Sequence, residues 1–255
     1  MSNYDRNYSF GAQVGQKAAA EIDQGLRAYM IGVYNYMTLG LGVTGLAALG
    51  AFMLANPQFV GHKLVGLSPF GQAIYLSPLR WVIVLAPLGF VMFLGAKANS
   101  ISAATARTLF LVFAALVGLS MSSLLVVYTG ASVAQVFFVT AAAFGGLSLY
   151  GYMTRRDLSA IGSFLVMGVW GLVIAGVVNL FLHSSSLQFG LSILAVLIFS
   201  GLTAYDTQAI KDQYYEGDGW EVTQKKSIFG ALMLYLDFIN MFQSLLYLFG
   251  QQRSD

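Results

Sequence analysis

The sequence predicts an all-α integral membrane protein, a bundle of seven transmembrane helices. Of its 255 residues, 57% are hydrophobic and only 9% are charged, whereas a soluble domain carries about 25% charged residues. The mean hydropathy of +0.70 agrees with this composition. Seven apolar segments each approach the length of about 20 helical residues that crosses a hydrocarbon core. A chain with so little charge cannot cover a water-facing surface, so the bilayer is its expected solvent.

The predicted spans follow one another closely and are separated by short polar connections. They lie at residues 30–54, 79–98, 105–128, 132–153, 160–182, 188–211 and 228–249. Turn-forming pairs such as Asn56-Pro57 and Ser77-Pro78 mark the connections. Pro87 falls inside the second span, where its missing backbone N–H predicts a kink.

The orientation of the bundle follows from the Lys and Arg residues outside the spans. Of the 13 such residues, all but Lys63, Arg80 and Arg253 fall on the side of the amino terminus. Basic residues concentrate on the cytoplasmic side of membrane proteins. The sequence therefore predicts a cytoplasmic N-terminus and, with seven spans, a C-terminus outside.

The residues before the first span predict an amphipathic helix on the cytoplasmic membrane surface. Apolar residues recur there every three or four positions, with charges between them. These are Val14, Ala18, Ile22, Leu26, Tyr29 and Val33. We therefore divide the chain into a tail at 1–29, a seven-helix domain at 30–250 and a C-terminal tail at 251–255.

Several function classes are excluded by composition. The chain has no cysteine, which removes disulfide and thiolate chemistry. It has no basic patch of the kind that binds nucleic acid, and no residues that predict a bound cofactor. The sixth connection contains Asp212, Glu216, Asp218 and Glu221, whose spacing does not match a calcium-binding EF-hand loop. We expect that connection to be a solvated loop.

Two acidic residues lie well inside the predicted membrane region, Asp206 in the sixth span and Asp237 in the seventh. A charge at the bilayer centre costs at least about 2.5–3.5 kcal/mol, so such residues face the bundle interior and find partners. Asp206 lies roughly 7–8 Å and Asp237 roughly 13–14 Å from the cytoplasmic ends of their predicted spans. Their side chains are therefore predicted to meet in the cytoplasmic half.

The faces of the two helices lead to the same expectation. Asp237, Asn240 and Ser244 form one polar stripe on the seventh helix, and Thr203 shares the face of Asp206. Two close carboxylates in a low dielectric tend to share one proton. Carboxylate oxygens also suit Ca²⁺. The pair is predicted to be a proton and Ca²⁺ site that responds to pH on the cytoplasmic side; the alternative is two interhelical hydrogen-bonding acids without a transport role.

The segments around both aspartates resemble the motifs of a known family. Phe199–Lys211 (FSGLTAYDTQAIK) is similar to the sixth-helix motif of the Bax inhibitor-1 family, and Leu234–Phe242 (LYLDFINMF) to its seventh-helix motif. Ile22–Arg27 (IDQGLR) resembles the bacterial branch, which implies a bacterial inner membrane. The resemblance covers essentially residues 22–250.

This resemblance implies a seven-helix bundle with the C-terminal helix at its centre. It also implies a pH-sensitive calcium leak in which Asp206 and Asp237 act as sensor and ion site, with Ca²⁺ as ligand or permeant ion. In the family a basic residue near the cytoplasmic end of the second helix pairs with the sixth-helix aspartate and closes the pore. Lys97 is the nearest candidate here, although it also fits an interfacial lysine that extends its ammonium to water.

Two other functions fit parts of the sequence. Paired membrane aspartates could serve an intramembrane aspartyl protease, but Leu234–Asp237 (LYLD) differs from the Gly-x-Gly-Asp pattern of that class, and no Pro-Ala-Leu motif follows. We therefore do not expect an enzyme. The chain could instead modulate another membrane protein, such as a membrane-bound protease, with its N-terminal helix as the contact.

Overall fold

The computed structural model describes residues 3–61, 63–98 and 100–253, and of residues 3–23 and Lys63 it describes the backbone alone. Seven of its helices are long and apolar enough to cross a membrane, which confirms the predicted all-α seven-span class. The helices are α1 (Asn3–Ala55), α2 (Pro69–Tyr75), α3 (Leu79–Lys97), α4 (Ala103–Val127), α5 (Gly130–Met153), α6 (Ser159–Leu182), α7 (Ser185–Asp212) and α8 (Trp220–Phe249). Two short strands, β1 (Gln58–Val60) and β2 (Lys63–Gly66), form an antiparallel hairpin after α1.

Short connections between the helices are possible because side chains cap the helix starts. Ser102, Thr129 and Ser184 each accept a hydrogen bond from the backbone N–H three residues later, which satisfies a donor that the helix itself leaves free. His183 ends α6 in a left-handed conformation, with φ of 49°. α3 continues through Pro87 to Lys97.

We call the end of the bundle that contains Gln24, Lys97, Met153 and Asp212 the inner end, and the opposite end the outer end. The predicted border between tail and bundle at residues 29–30 falls within α1, which runs unbroken from Asn3 to Ala55. The side chains of Val14, Ala18 and Ile22 lie outside the described part of the chain. A membrane-surface location of this segment stays a prediction.

The C-terminal helix α8 lies at the centre of the bundle, as the resemblance implied. It packs against α1, α4, α5 and α7. Its core side chains are aromatic: Tyr235 contacts the rings of Phe110 and Phe113, and Phe238 contacts Phe137 and Phe144. The Tyr235 hydroxyl also hydrogen-bonds Thr44 of α1 at 2.6 Å. Tyr235 therefore joins α8 to both α1 and α4.

The outer end is more ordered than the sequence indicated. Instead of a free tail, Gln251 and Arg253 pack along the α4–α5 turn. The Gln251 N–H donates to the Ser132 hydroxyl at 2.8 Å, and the Arg253 N–H donates to the Val127 carbonyl at 2.9 Å. The Arg253 guanidinium lies 4.7 Å from the ring of Phe59 in β1. These contacts fix the last residues of the described chain to the hairpin and to the start of α5.

The connection between α7 and α8 is shorter than predicted, although Asp212, Glu216 and Glu221 are exposed there, as expected of a solvated connection. α8 begins at Trp220, eight residues before the predicted 228, so Glu221 belongs to its first turn. The Glu221 carboxylate accepts a hydrogen bond from the Ala103 N–H at the start of α4, at 2.6 Å. Asp218 forms an ion pair with Lys226. Carboxylates are favoured at helix N-termini, and Glu221 thereby ties the start of α8 to α4.

Candidate functional site

The packing of α7 against α8 brings Asp206 and Asp237 together. Both side chains are buried, with 8% and 3% of their surface exposed. Both residues line the same cavity, so two acidic groups share one buried space, and two close carboxyl groups in such a space tend to share one proton. The matched depth and inward faces predicted for the two residues are therefore found in the structure.

The two aspartates lie at one end of a cavity of about 560 Å³ between α3, α6, α7 and α8. On α7 the lining runs from Gln188 to Asp206, which at 1.5 Å per residue is roughly 27 Å. On α8 it runs from Met233 to Ser244. Asp206 is the lining residue of α7 nearest the inner end. The cavity thus extends from the pair towards the outer end.

Polar side chains accompany the aspartates along this cavity. Asn240 and Ser244, the predicted stripe of α8, both line it. The Asn240 amide donates to the Leu236 carbonyl at 2.8 Å, which leaves the Asn240 Oδ1 as an acceptor. The sequence analysis missed three further polar lining residues, Gln188, Ser192 and Gln243. The helical repeat could have identified Gln188, because it lies 18 residues, or five turns, before Asp206 and therefore on the same face of the helix.

Thr203 does not join this lining, although it was predicted to share the face of Asp206. Its hydroxyl donates to the Phe199 carbonyl at 2.7 Å, and the side chain is fully buried. It lies beside a chain of hydroxyl groups: Thr207 hydrogen-bonds Ser148 at 2.9 Å, and Ser148 hydrogen-bonds Tyr34 at 2.6 Å. This chain connects α7 to α5 and α1 and is separate from the aspartate cavity.

The inner side of the pair is closed by tight packing between α7 and α8. Ile210 and Ala231 are fully buried. Gly230 faces Ile210 so closely that an added Cβ would lie 3.0 Å from the Ile210 side chain. The absence of a side chain at Gly230 therefore lets the helices approach. The aspartates mark the closed end of a cavity whose other end lies towards the outside of the bundle.

The charge balance of the site favours a cation or a proton. The Asp237 Oδ2 is buried and has no hydrogen-bond partner within the described residues, and an unpartnered buried oxygen is costly. Among the described residues no group of three or more His, Cys, Asp or Glu side chains could hold a metal ion. A Ca²⁺ ion takes six to eight oxygen ligands, so here it would combine the two carboxylates with Asn240 Oδ1, hydroxyl oxygens and water.

Lys97, the predicted gate partner, lies apart from the pair. It occupies the last turn of α3 at the inner end, with an exposed side chain, and it does not line the cavity. Among the side chains that the structure describes, those of residues 24–61, 64–98 and 100–253, the one ion pair joins Lys226 to Asp218. The structure therefore does not join Lys97 to Asp206, and the gating role stays a prediction.

Comparison with known proteins assigns the chain to a family. A family model described as "Inhibitor of apoptosis-promoting Bax1" matches residues 26–254. The inner membrane protein YbhL of Escherichia coli is 43% identical over 231 residues, which cover 90% of this chain and 94% of YbhL. Protein RP147 of Rickettsia prowazekii is 44% identical over 236 residues, covering 91% and 92% of the two chains. The membrane protein SpyM3_0260 of Streptococcus pyogenes is 33% identical over 234 residues, covering 90% and 95%. Both aspartate motifs fall within the residues that the family model matches, and the chain therefore belongs to the Bax inhibitor-1 family of membrane proteins.

Proposed function

We propose that the protein is a pH-sensitive cation leak, Ca²⁺ included, in which Asp206 and Asp237 bind the ion and the proton. The observation that carries this proposal is the pair itself: two buried carboxyl groups that line one end of the same cavity in the membrane-spanning bundle. Intramembrane acids are costly and usually mark an ion or proton pathway. A purely structural pair would not need the row of polar side chains, Gln188, Ser192, Asn240, Gln243 and Ser244, that continues along the mostly apolar cavity.

The proposed gate is the α7–α8 contact below the pair. When both carboxylates are ionised, their repulsion is relieved only by a cation or by a basic neighbour. One proton neutralises part of that charge, weakens cation binding and allows the helices to rearrange around Ile210 and Gly230. The open population is therefore expected to change as pH falls. The cavity extends towards the outer end, which supports access from that side rather than from the cytoplasmic side that the sequence suggested.

Lys97 enters this proposal as a residue that binds the pair in another conformation. α3 packs mainly against α2 and α4, so it is held less firmly than the helices around α8. A movement of α3 towards α7 would carry Lys97 closer to Asp206 and could occlude the cavity. Lys97→Gln is then expected to raise the leak at high pH, where the pair is most negative.

The charge pattern supports a bacterial inner membrane location with the N-terminus in the cytoplasm and the C-terminus outside. The relative YbhL is named as an inner membrane protein. A reporter fused after Asp255 is expected to be active only outside the cytoplasm, and cytoplasmic activity would contradict the orientation.

The decisive experiment measures Ca²⁺ flux into proteoliposomes at several pH values for the wild type, Asp206→Asn, Asp237→Asn and the double variant. Asparagine keeps the shape and removes the charge. Each single change is expected to flatten the pH response, and the double variant should be no worse than the stronger single, because coupled groups titrate as one unit. Asp212→Asn, at the exposed end of the same helix, is the matched control. Equal pH-dependent flux in all variants would make the pair structural.

The same variants separate the leak from its alternatives. An intramembrane protease would lose cleavage of a membrane substrate in both single variants while its ion flux stayed unchanged. A modulator of another membrane protein would keep its effect on a membrane-bound protease in the double variant. Modulation is compatible with the leak and is proposed beside it.

A further inference from the structure

A second cavity system lies on the opposite side of α8 from the helices α3 and α6. α1 and α5 both pack on α8 but make few direct contacts with each other. The gap between them forms one cavity of about 590 Å³ and, further towards the outer end, another of about 300 Å³. Both are lined by Leu41 and Phe238, so they adjoin. Together they form a groove from Arg27 to Leu49 on α1, roughly 33 Å of helix.

The size of this groove selects among possible occupants. A transmembrane helix is about 10 Å across with its side chains, and the groove narrows towards its outer end, where the cavity has about half the volume of the inner one. A flexible hydrocarbon chain is much thinner and can follow a groove of the bilayer's length. The lining is mostly apolar, with Ile31, Phe144 and Leu149 among its residues.

The charged group and most of the hydroxyl groups of the groove lie in its inner half. Arg27 and Tyr152 line its inner end. The Lys211 ammonium lies beside Tyr152, where it donates to the Tyr152 carbonyl at 3.0 Å. Seven residues further into the membrane, roughly 10 Å, the hydrogen-bonded hydroxyls of Tyr34 and Ser148 also line the cavity. The order is basic at the membrane surface, hydroxyl below it and mostly apolar beyond, where the buried Thr44 hydroxyl already has a partner in Tyr235.

We propose that this groove binds one anionic phospholipid, with its phosphate at Arg27 and an acyl chain between α1 and α5. The arrangement of charge, hydroxyl and apolar surface matches that of the lipid from headgroup to tail. The guanidinium is the side chain best suited to a phosphate. The site shares no residue with the aspartate cavity and does not depend on the leak.

Two glycines provide a matched test of the groove. Gly145 lines it, whereas the neighbouring Gly146 does not, and an added Cβ at either position meets nothing within 4 Å. Native mass spectrometry would count phosphatidylglycerol and phosphatidylcholine bound to the detergent-purified protein. Gly145→Phe is expected to weaken binding of both lipids about tenfold, and Gly146→Phe to leave it unchanged. If Gly145→Phe does not fold, Leu149→Trp fills the same groove.

The headgroup preference is tested at Arg27. The wild type is expected to prefer phosphatidylglycerol over phosphatidylcholine about fivefold, the contribution of one basic residue near an anionic lipid. Arg27→Gln should abolish that preference, and Arg107→Gln, an exposed arginine near the inner end of α4, should retain it.

Three results would overturn the proposal. One is equal binding of the two lipids by the wild type, and another is the same loss in Arg27→Gln and Arg107→Gln. The third is equal lipid retention by the Gly145 and Gly146 variants, which would mean adventitious lipid elsewhere on the surface.

Discussion

The central helix α8 and the peripheral helix α6 differ in how much of their surface is buried in the protein and in how apolar they are. Half of the residues in the most apolar stretch of α8 are buried in the protein, and none of those in α6 are. Yet α8 is the least apolar of the seven spans and α6 is among the most apolar. α8 carries Asp237 and Asn240, whereas the exposed side chains of α6 include Phe164 and Trp170.

In these two helices, apolar character reports contact with lipid rather than burial in the protein; α4, the most apolar span, departs from this, because 33% of its apolar stretch is buried. Lipid tails are as apolar as leucine, so an apolar helix gains little by moving inside. A helix with polar groups gains hydrogen-bond partners there. The position of α8 at the centre is thus consistent with its own sequence, and substitutions in the two helices should have unequal effects.

The largest effect is expected from truncating matched aromatic residues. Tyr235 of α8 is fully buried, and Trp170 of α6 is 65% exposed. Tyr235→Ala leaves a cavity among Phe110, Phe113 and Thr44 and should lower the free energy of unfolding by about 3–5 kcal/mol. Trp170→Ala exposes only lipid-facing surface and should change it by less than about 0.5 kcal/mol. Reversible unfolding in mixed micelles measures both, and equal losses would invalidate the comparison.

A smaller effect is expected from enlarging matched glycines. Gly230→Leu inserts atoms against the buried Ile210, and such overpacking costs about 1–3 kcal/mol. Gly171 of α6 has open space around it, so Gly171→Leu should leave the unfolding free energy unchanged or slightly raised. Thermal melting of the two variants in one detergent tests this. A Gly230 variant that melts like the wild type would show that the α7–α8 contact is loose.

The smallest change in stability is expected from replacing Asp157, two residues before the first residue of α6. The backbone N–H of Ser159 donates to the Asp157 carboxylate at 2.8 Å, and hydrogen bonding from Ser159 lowers the pKa of that exposed carboxyl from 3.8. A lowered pKa in the folded state contributes stability at neutral pH that is lost as pH falls through the lowered value. Asp157→Asn should therefore slightly reduce the melting temperature at pH 7 and have no effect near pH 2. A difference that persists at low pH would rule out this electrostatic cause.

Length and apolarity predicted the spans closely, because a bilayer constrains both. The ends were less accurate where polar residues continue a helix beyond the membrane. α8 begins at Trp220 because Glu221 finds the Ala103 N–H on another helix, a contact that no local pattern indicates. Residues 251–253 were missed for the same reason: Arg253 is held by Phe59 and Val127, which are distant in sequence. The hairpin was missed because its two strands have only three and four residues.

The candidate site was predicted in part. The depth and helical face of Asp206, Asp237, Asn240 and Ser244 predicted that they lie together. Both properties can be read from one segment, because they depend on the helical repeat and on the free-energy cost of a polar side chain in lipid. Thr203 was misplaced since a threonine can satisfy its hydroxyl on its own helix, as it does at the Phe199 carbonyl. The groove between α1 and α5 exists because these helices pack on α8 and leave a gap between them. Such a gap cannot be predicted from the sequence of either helix alone.

Because α8 is central and is also the last helix to be synthesised, the other spans must enter the membrane before their main packing partner exists. Chains are made from the N-terminus, so six spans enter the membrane before the helix around which they pack exists. During that interval Asp206 has no Asp237, and the surfaces of α1, α4, α5 and α7 that will contact α8 are open to lipid or to insertion factors. If translation stops before α8 (Trp220–Phe249) is complete, six spans are inserted but the helix that forms their common core is missing. Such a chain is an expected substrate for membrane quality control.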